Sequence, residues 1–523
     1  MSSPPAVTLD RPESSEASED GLAVAPQGAG LGPAGPGEGG PSSGGDGGSG
    51  GGPGSGSGGG GLSGRLAGKG LWMQVATLAM WPLLQQLMNF LVGFVDTGVA
   101  GRLSVSATNA IGVAAYFGWF QGLLFMAVGT AAGAVIARAI GAGKRAEAEL
   151  ALGQALVVSV VVGLSVLAVL GASAGAIAVG AGLSGDAVEQ CAVYLRVMAL
   201  AAPMGAVLFV GGACLSAEGD TRTPFFIMAG VNGLNLVLSV GLAMSPWATP
   251  GWLGGWTVPG AGWGSSGIAW GSAGAWTFGA VLTMAALIRG RAGLRLCAGC
   301  LHPERGMLRR IGRLAWPNVV ERGGHWLGNA LVLLLVGELA RRGLSAAQGA
   351  HIVAIRIEAI SFLPAMGLMV AAGTLAGQYL GAGDAGTARK AASRCWLLGA
   401  GMGLALGVVF VAIPESLVRL LTDEPEILAL SPELVRICGY VQLMFASALV
   451  LGGAIRGAGD TRGPSWISNT LTWGLRLPGV AAVVWLTDWG LVGVWMVLCS
   501  ELAVRGLVFT GYFLYGKWDR VAV

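Results

Sequence analysis

From Leu71 onward the chain is built of apolar runs of about 20 or more residues separated by short polar breaks. Each run is long enough to cross a bilayer, and a backbone in hydrocarbon satisfies its own hydrogen bonds as a helix. Twelve such runs are predicted, over 72–100, 108–137, 150–180, 188–216, 223–246, 263–289, 310–337, 347–379, 390–413, 430–456, 463–486 and 488–516. The expected fold class is an all-α membrane protein with twelve transmembrane helices.

The pattern is written twice. Ala217-Glu218-Gly219-Asp220-Thr221-Arg222-Thr223-Pro224 is echoed 240 residues later by Gly457-Ala458-Gly459-Asp460-Thr461-Arg462-Gly463-Pro464. Gly141-Ala142-Gly143 recurs as Gly381-Ala382-Gly383 at the same offset, and Trp81-Pro82 answers Trp316-Pro317 at 235. Six spans separate the copies, an even number, so the halves are parallel repeats related by an axis along the membrane normal. The expected organisation is an N-terminal six-helix lobe at 71–289, a basic connector at 290–309, a C-terminal six-helix lobe at 310–516 and a short terminus at 517–523. Residues 1–70, rich in Gly, Ser and Pro with scattered acids, have too little apolar surface to offset their ordering entropy and are expected to be disordered.

Composition agrees: 53% hydrophobic and 11% charged residues are far from the roughly 25% charged of a soluble domain. Net charge is only +3 and the basic residues are dispersed, so no nucleic acid partner is expected. Lys and Arg concentrate in the breaks after the even-numbered spans, from Lys144 and Arg145 through Arg222, Arg295 and Arg309 to Arg389 and Arg462. Those breaks are therefore cytoplasmic, which places both termini in the cytoplasm and the protein in the cell (inner or plasma) membrane. Among seven cysteines only Cys297 and Cys300 form a C-x-x-C, which lacks the second pair a zinc site needs and reads as an ordinary loop. With three histidines and no H-E-x-x-H, neither a metal site nor catalytic chemistry is expected.

An ionisable group inside a span costs roughly 2.5–3.5 kcal/mol on insertion scales, so each is a functional suspect. In the first span Gln85, Asn89 and Asp96 share one helix face, and in the fifth Asn232, Asn235 and Ser239 do the same. These groups either serve a transport site or hold helices together. The second half offers Glu321, Arg322 and His325 in the seventh span and Arg356 with Glu358 in the eighth. Glu321 either passes a proton to His325 or pairs with Arg356, with Arg322 paired to Glu358. His351 is expected at the membrane surface. Tyr116, Trp119, Phe120 and Gln121 either line a cavity or pack in the core. Pro82 and Pro317, at equivalent places, are candidate hinges.

Taken together, Trp81-Pro82, Val95-Asp96-Thr97, Gly129-Thr130 and the paired Gly-Asp-Thr-Arg turns resemble the multidrug and toxic compound extrusion (MATE) family. So do Ala354-Ile355-Arg356-Ile357-Glu358, Ser361-Phe362-Leu363-Pro364 and Gly373-Thr374-Leu375-Ala376-Gly377-Gln378. The resemblance spans 72–516 and is nearest to the DinF-like branch. It implies two lobes around a V-shaped cavity and export of small organic compounds, often cationic or amphipathic, in exchange for H⁺ or Na⁺. No cofactor beyond that ion is implied, the partners are such substrates and the lipid bilayer, and the protein is expected to be monomeric. Asp96 resembles the family's ion-binding aspartate and Asn235 its neighbour; Ser239 stands where that branch commonly carries a second aspartate. A lipid or lipid-linked oligosaccharide flippase is the alternative function.

Overall fold

The structure, a computed structural model, describes residue 66 and residues 68–248, 257–258, 260–290 and 293–521; for 90–102, 105, 247–248 and 258 it describes the backbone alone. The first half contains α1 (Leu71–Leu103), α2 (Val105–Gly141), α3 (Arg145–Gly180), α4 (Asp186–Leu200), α5 (Ala202–Glu218), α6 (Arg222–Ala243) and α7 (Ser265–Arg289). The second contains α8 (Arg305–Arg341), α9 (Ala347–Gly381), α10 (Ala385–Ala412), α11 (Pro414–Arg419), α12 (Pro425–Gly457), α13 (Arg462–Leu471), α14 (Leu477–Leu486) and α15 (Gly490–Tyr515). Among the described residues nine helices are singly long and apolar enough to cross a membrane, and α4 with α5, meeting at a 52° bend, form a tenth. The 33-residue α1 and the line α13–α14, joined by a π-helical turn over Thr472–Arg476, complete the twelve spans in two lobes of six. A two-residue antiparallel pair, Trp247–Ala248 with Thr257–Val258, lies between α6 and α7.

The breaks have local causes. Pro203, in the first turn of α5, has no N–H to continue the ladder from α4, and Gly163 of α3 makes room for it: a Cβ there would lie 2.5 Å from the Pro203 Cα. Pro478 interrupts the eleventh span, and the Leu477 N–H bonds to the Thr472 carbonyl five residues back, which is the π turn. The two candidate hinges, Pro82 and Pro317, lie inside the continuous helices α1 and α8.

The duplicated Gly-Asp-Thr-Arg stretch is a stop-and-start signal. Gly219 (φ 108°) and Gly459 (φ 98°) close α5 and α12 in the left-handed region. Asp220 then accepts the Thr223 N–H at 3.1 Å, and Asp460 the Gly463 N–H at 2.9 Å, satisfying the free first turn of the next helix.

The lobes cross beside these turns. A Cβ on Gly141 would lie 1.9 Å from the Gln378 carbonyl oxygen, and one on Gly381 would lie 2.1 Å from that of Arg138. Positions 138 and 378 are themselves one repeat apart, so this is one contact made twice with the halves exchanged. Across the same seam Arg138 Nη2 donates to Ala458 O (2.6 Å), Gln378 Nε2 to Ala217 O (2.8 Å) and Thr374 Oγ1 to Ser216 O (3.1 Å).

The stretch expected to be disordered includes residues the structure describes, Leu66 and 68–70. Leu66 is buried, packed in the apolar core with Leu78, Leu375 and Tyr379, and Gln74 Nε2 donates to its carbonyl at 3.3 Å. The residues before it lie outside the described chain. The connector is also fixed: Cys297 and Cys300 form a disulfide that the lone C-x-x-C did not announce, and Gln154 of α3 donates to the Cys300 and His302 carbonyls at 2.7 and 2.8 Å. At the other end Trp518 is buried, and the hydrogen bond from Arg389 (2.9 Å) holds the Asp519 carboxyl below the usual carboxylate range.

Candidate functional site

In the first lobe the two predicted stripes meet once. Asn232 Nδ2 donates to Asn89 Oδ1 at 2.8 Å, tying α6 to α1, with Gln85 half-buried one turn away. Asn235 and Ser239 turn instead toward α7: Asn235 Nδ2 donates to Ser272 Oγ at 2.8 Å, and Ser239 backs onto Gly271, where a Cβ would lie 2.7 Å from its nitrogen. The Asn235 Oδ1 and the Ser239 hydroxyl are buried without a hydrogen-bond partner. Two buried oxygens one turn apart on α6, without partners, are what a cation or a proton donor would complete. Asp96 lies in α1 two turns beyond Asn89, and its side chain falls outside the described residues.

The second lobe holds a charged network. Glu321 of α8 is bound by Arg456 of α12, through both Nη2 and Nε (3.3 Å), and by Ser468 Oγ of α13 at 2.8 Å. Glu501 of α15 is completely buried between two guanidiniums, Arg476 Nη2 at 2.7 Å and Arg505 Nε at 2.7 Å. Arg476, at the end of the π turn, also donates to Asn329 Oδ1 (2.8 Å), and Arg505 to Thr472 Oγ1 (3.0 Å). His325 sits among Arg322, Arg476 and Arg505, and its Nδ1 is buried without a partner.

This corrects the sequence reading in several places. Glu321 pairs with Arg456, not with Arg356, and it makes no hydrogen bond to His325 that would carry a proton between them. Arg356 is exposed and Glu358 half-buried, and neither forms an ion pair among the described residues. His351, near the start of α9, is buried within the protein, accepting from Trp495 Nε1 at 3.0 Å. Arg456, Arg476, Glu501 and Arg505 were missed. A signal existed for three of them, since Arg476, Glu501 and Arg505 each interrupt the two last apolar runs, the criterion that selected Asp96 and Glu321.

Farther along the seam, Tyr116 OH donates to Trp326 O (2.9 Å) and Trp326 Nε1 to Tyr116 O (3.1 Å). Phe117 and Phe120 pack on the same indole, and one turn back Arg322 Nη1 reaches Met126 Sδ of α2 at 3.3 Å. Gln121 points elsewhere, buried with its amide 3.5 Å from Met198 O of α4.

Two six-helix repeats crossing at one end, each with polar groups in its interior, define a duplicated membrane transporter. The MatE family model matches residues 82–240 and 317–480, once in each half, and the chain belongs to that family. It is 28% identical over 451 residues to a probable multidrug resistance protein NorM of Thermotoga maritima, covering 86% of this chain and 94% of the relative. It is 27% identical over 441 residues to a probable multidrug resistance protein NorM of Xanthomonas axonopodis, covering 82% and 91%. Among solved structures, an outward-facing multidrug resistance MATE family transporter of the MOP superfamily superposes with a TM-score of 0.76 at 19% identity, over 86% of this chain and 96% of that one. A MOP superfamily transporter from Pyrococcus furiosus, described as having a binding pocket of reverse polarity, matches equally, with a TM-score of 0.76 at 19% identity over 86% and 96%.

Proposed function

We propose that the protein is a secondary active exporter of small organic compounds, coupled to H⁺ or Na⁺. The observation that carries this reading is the reciprocal crossing of α2 and α9 at Gly141 and Gly381. It joins the two bundles at one end of a seam that α2 and α8 continue as far as Tyr116 and Trp326, and it supports rocking of the lobes about a site between them. The relatives named for multidrug resistance support the export direction. In this reading Asp96, with Asn89, Asn232 and Asn235, takes the ion and the cationic end of an amphipathic substrate. Binding the ion in one lobe arrangement and losing it in the other couples the gradient to the switch. In this reading the protein works as a monomer in the inner or plasma membrane, and the Lys and Arg distribution supports placing both termini and the Gly-Asp-Thr-Arg turns on the cytoplasmic side.

The test is uptake of a fluorescent cationic dye into inverted vesicles under a proton or a sodium gradient imposed separately. Wild type should concentrate the dye under one gradient, and Asp96→Asn should abolish the gradient-driven part. Gradient-driven transport that survives Asp96→Asn would remove that residue from coupling. The second reading, a flippase for lipids or lipid-linked oligosaccharides, draws on the guanidinium-rich second lobe. It would gain if folded protein moved no dye under either gradient.

A further inference from the structure

Four guanidiniums lie in the interior network of the second lobe, Arg322, Arg456, Arg476 and Arg505, against three carboxyl groups, Glu321, Glu358 and Glu501. Glu321 is taken by Arg456, and Glu501 is shared by Arg476 and Arg505. Arg322 makes no ion pair among the described residues; the acceptor it reaches is the Met126 thioether, a weak one. The network is therefore net positive whether Glu358 is ionised or not: Glu321 has Arg456 and Arg322 beside it, and Glu501 has Arg476 and Arg505. Beside it, one turn along α8, the His325 ring presents a buried nitrogen with no partner. An excess of guanidiniums over carboxylates in a membrane interior is costly, and such groups mark substrate or ion pathways.

Arg322 also faces outward from its own lobe, since Met126 belongs to α2 on the other side of the seam. Trp326, four residues on and hence on the same face, packs at a tilt against Tyr116 and Phe120 at centroid distances of 5.0 and 4.7 Å. A forked cation adjoining a cluster of rings is suited to an aromatic molecule carrying a carboxylate, which a guanidinium binds bidentately. We propose that Arg322 and His325 form an anion subsite of the second lobe, taking the carboxylate of aromatic, amphipathic substrates. The substrate class then includes zwitterions and acids as well as cations. This rests on the exporter reading, which it deepens.

The test uses the purified full-length protein in nanodiscs with a rhodamine that bears a free carboxylate and with the methyl ester of the same dye. Fluorescence anisotropy gives the ratio of the two affinities. Wild type should favour the acid, and Arg322→Gln should cut the acid-to-ester ratio by about tenfold, a shift of about 1.4 kcal/mol. Arg322→Lys, which keeps the charge, should recover part of it, and His325→Ala should reduce the ratio less. Equal losses for acid and ester in folded Arg322→Gln protein would show a structural role and overturn the subsite. So would a wild-type ratio near one. If wild type shows no acid preference but binds the ester in a saturable, chloride-dependent way that Arg322→Gln abolishes, the cluster holds an inorganic ion and the substrate assignment falls. Transport of the ester by wild type in vesicles is scored separately, so failure of export leaves the affinity ratio to decide the subsite.

Discussion

The two lobes share a frame and differ in what they keep inside it. Among its described side chains the interior of the first lobe is held by neutral amides and a hydroxyl, Asn232 on Asn89 and Asn235 on Ser272. The second replaces these with buried ions, Glu321 on Arg456 and Glu501 between Arg476 and Arg505. Yet the glycine contacts and the Gly-Asp turns recur at the 240-residue offset. Backbone contacts at the crossing admit no side chain and so tolerate little change, while a polar interior is acceptable in any form that satisfies its hydrogen bonds. Duplication fixes the hinge geometry and leaves the interiors free to specialise, in our reading one for a cation and the other for an anion.

The sharpest way to break this contrast is Glu501→Gln. It leaves two buried guanidiniums without their anion and should destabilise the protein by about 3–5 kcal/mol, read as a lowered thermal transition in detergent. If it proves no worse than a first-lobe amide substitution, the second lobe is not organised by its charges. Next come Gly141→Val and Gly381→Val, each forcing a side chain against a carbonyl across the seam. Each should cost about 1–3 kcal/mol, and nearly the same amount, because the two contacts are one contact seen twice. Clearly unequal losses would mean that the symmetry of the crossing is only apparent. The smallest effect belongs to the first lobe: a double-mutant cycle of Asn89→Ala and Asn232→Ala should return a coupling of about 0.6 kcal/mol. A coupling of several kcal/mol would place an ionic interaction where the structure shows amides.

How much of this was legible depends on range along the chain. The spans were, because apolar length alone sets them: the run read as 310–337 is α8, Arg305–Arg341, and the run read as 463–486 is α13 with α14. The π turn inside the latter was not, since Pro478 announces a disturbance without saying how the backbone accommodates it. The stripe of Asn232, Asn235 and Ser239 was correctly placed on one helix, but a face about 60° wide touches two neighbours, so Asn232 went to α1 and the others to α7. Glu321 was visible as a suspect while Arg456 was not, because the partner lies 135 residues away and sits at the edge of its run, where a basic residue passes for a loop anchor.

The position of the glycine crossing makes each lobe a long lever on a fulcrum at its tip. The helices α2 and α9 contain 37 and 35 residues and extend about 50 Å from Gly141 and Gly381. A tilt of roughly 10° swings their far ends through roughly 9 Å while atoms at the fulcrum stay almost still. Opening at the far mouth then parts the Tyr116–Trp326 contacts and leaves the seal at the near mouth intact. Opening the near mouth means parting two pairs of touching backbones, so the two half-strokes are unequal: one turns on the fulcrum, and the other has to dismantle it.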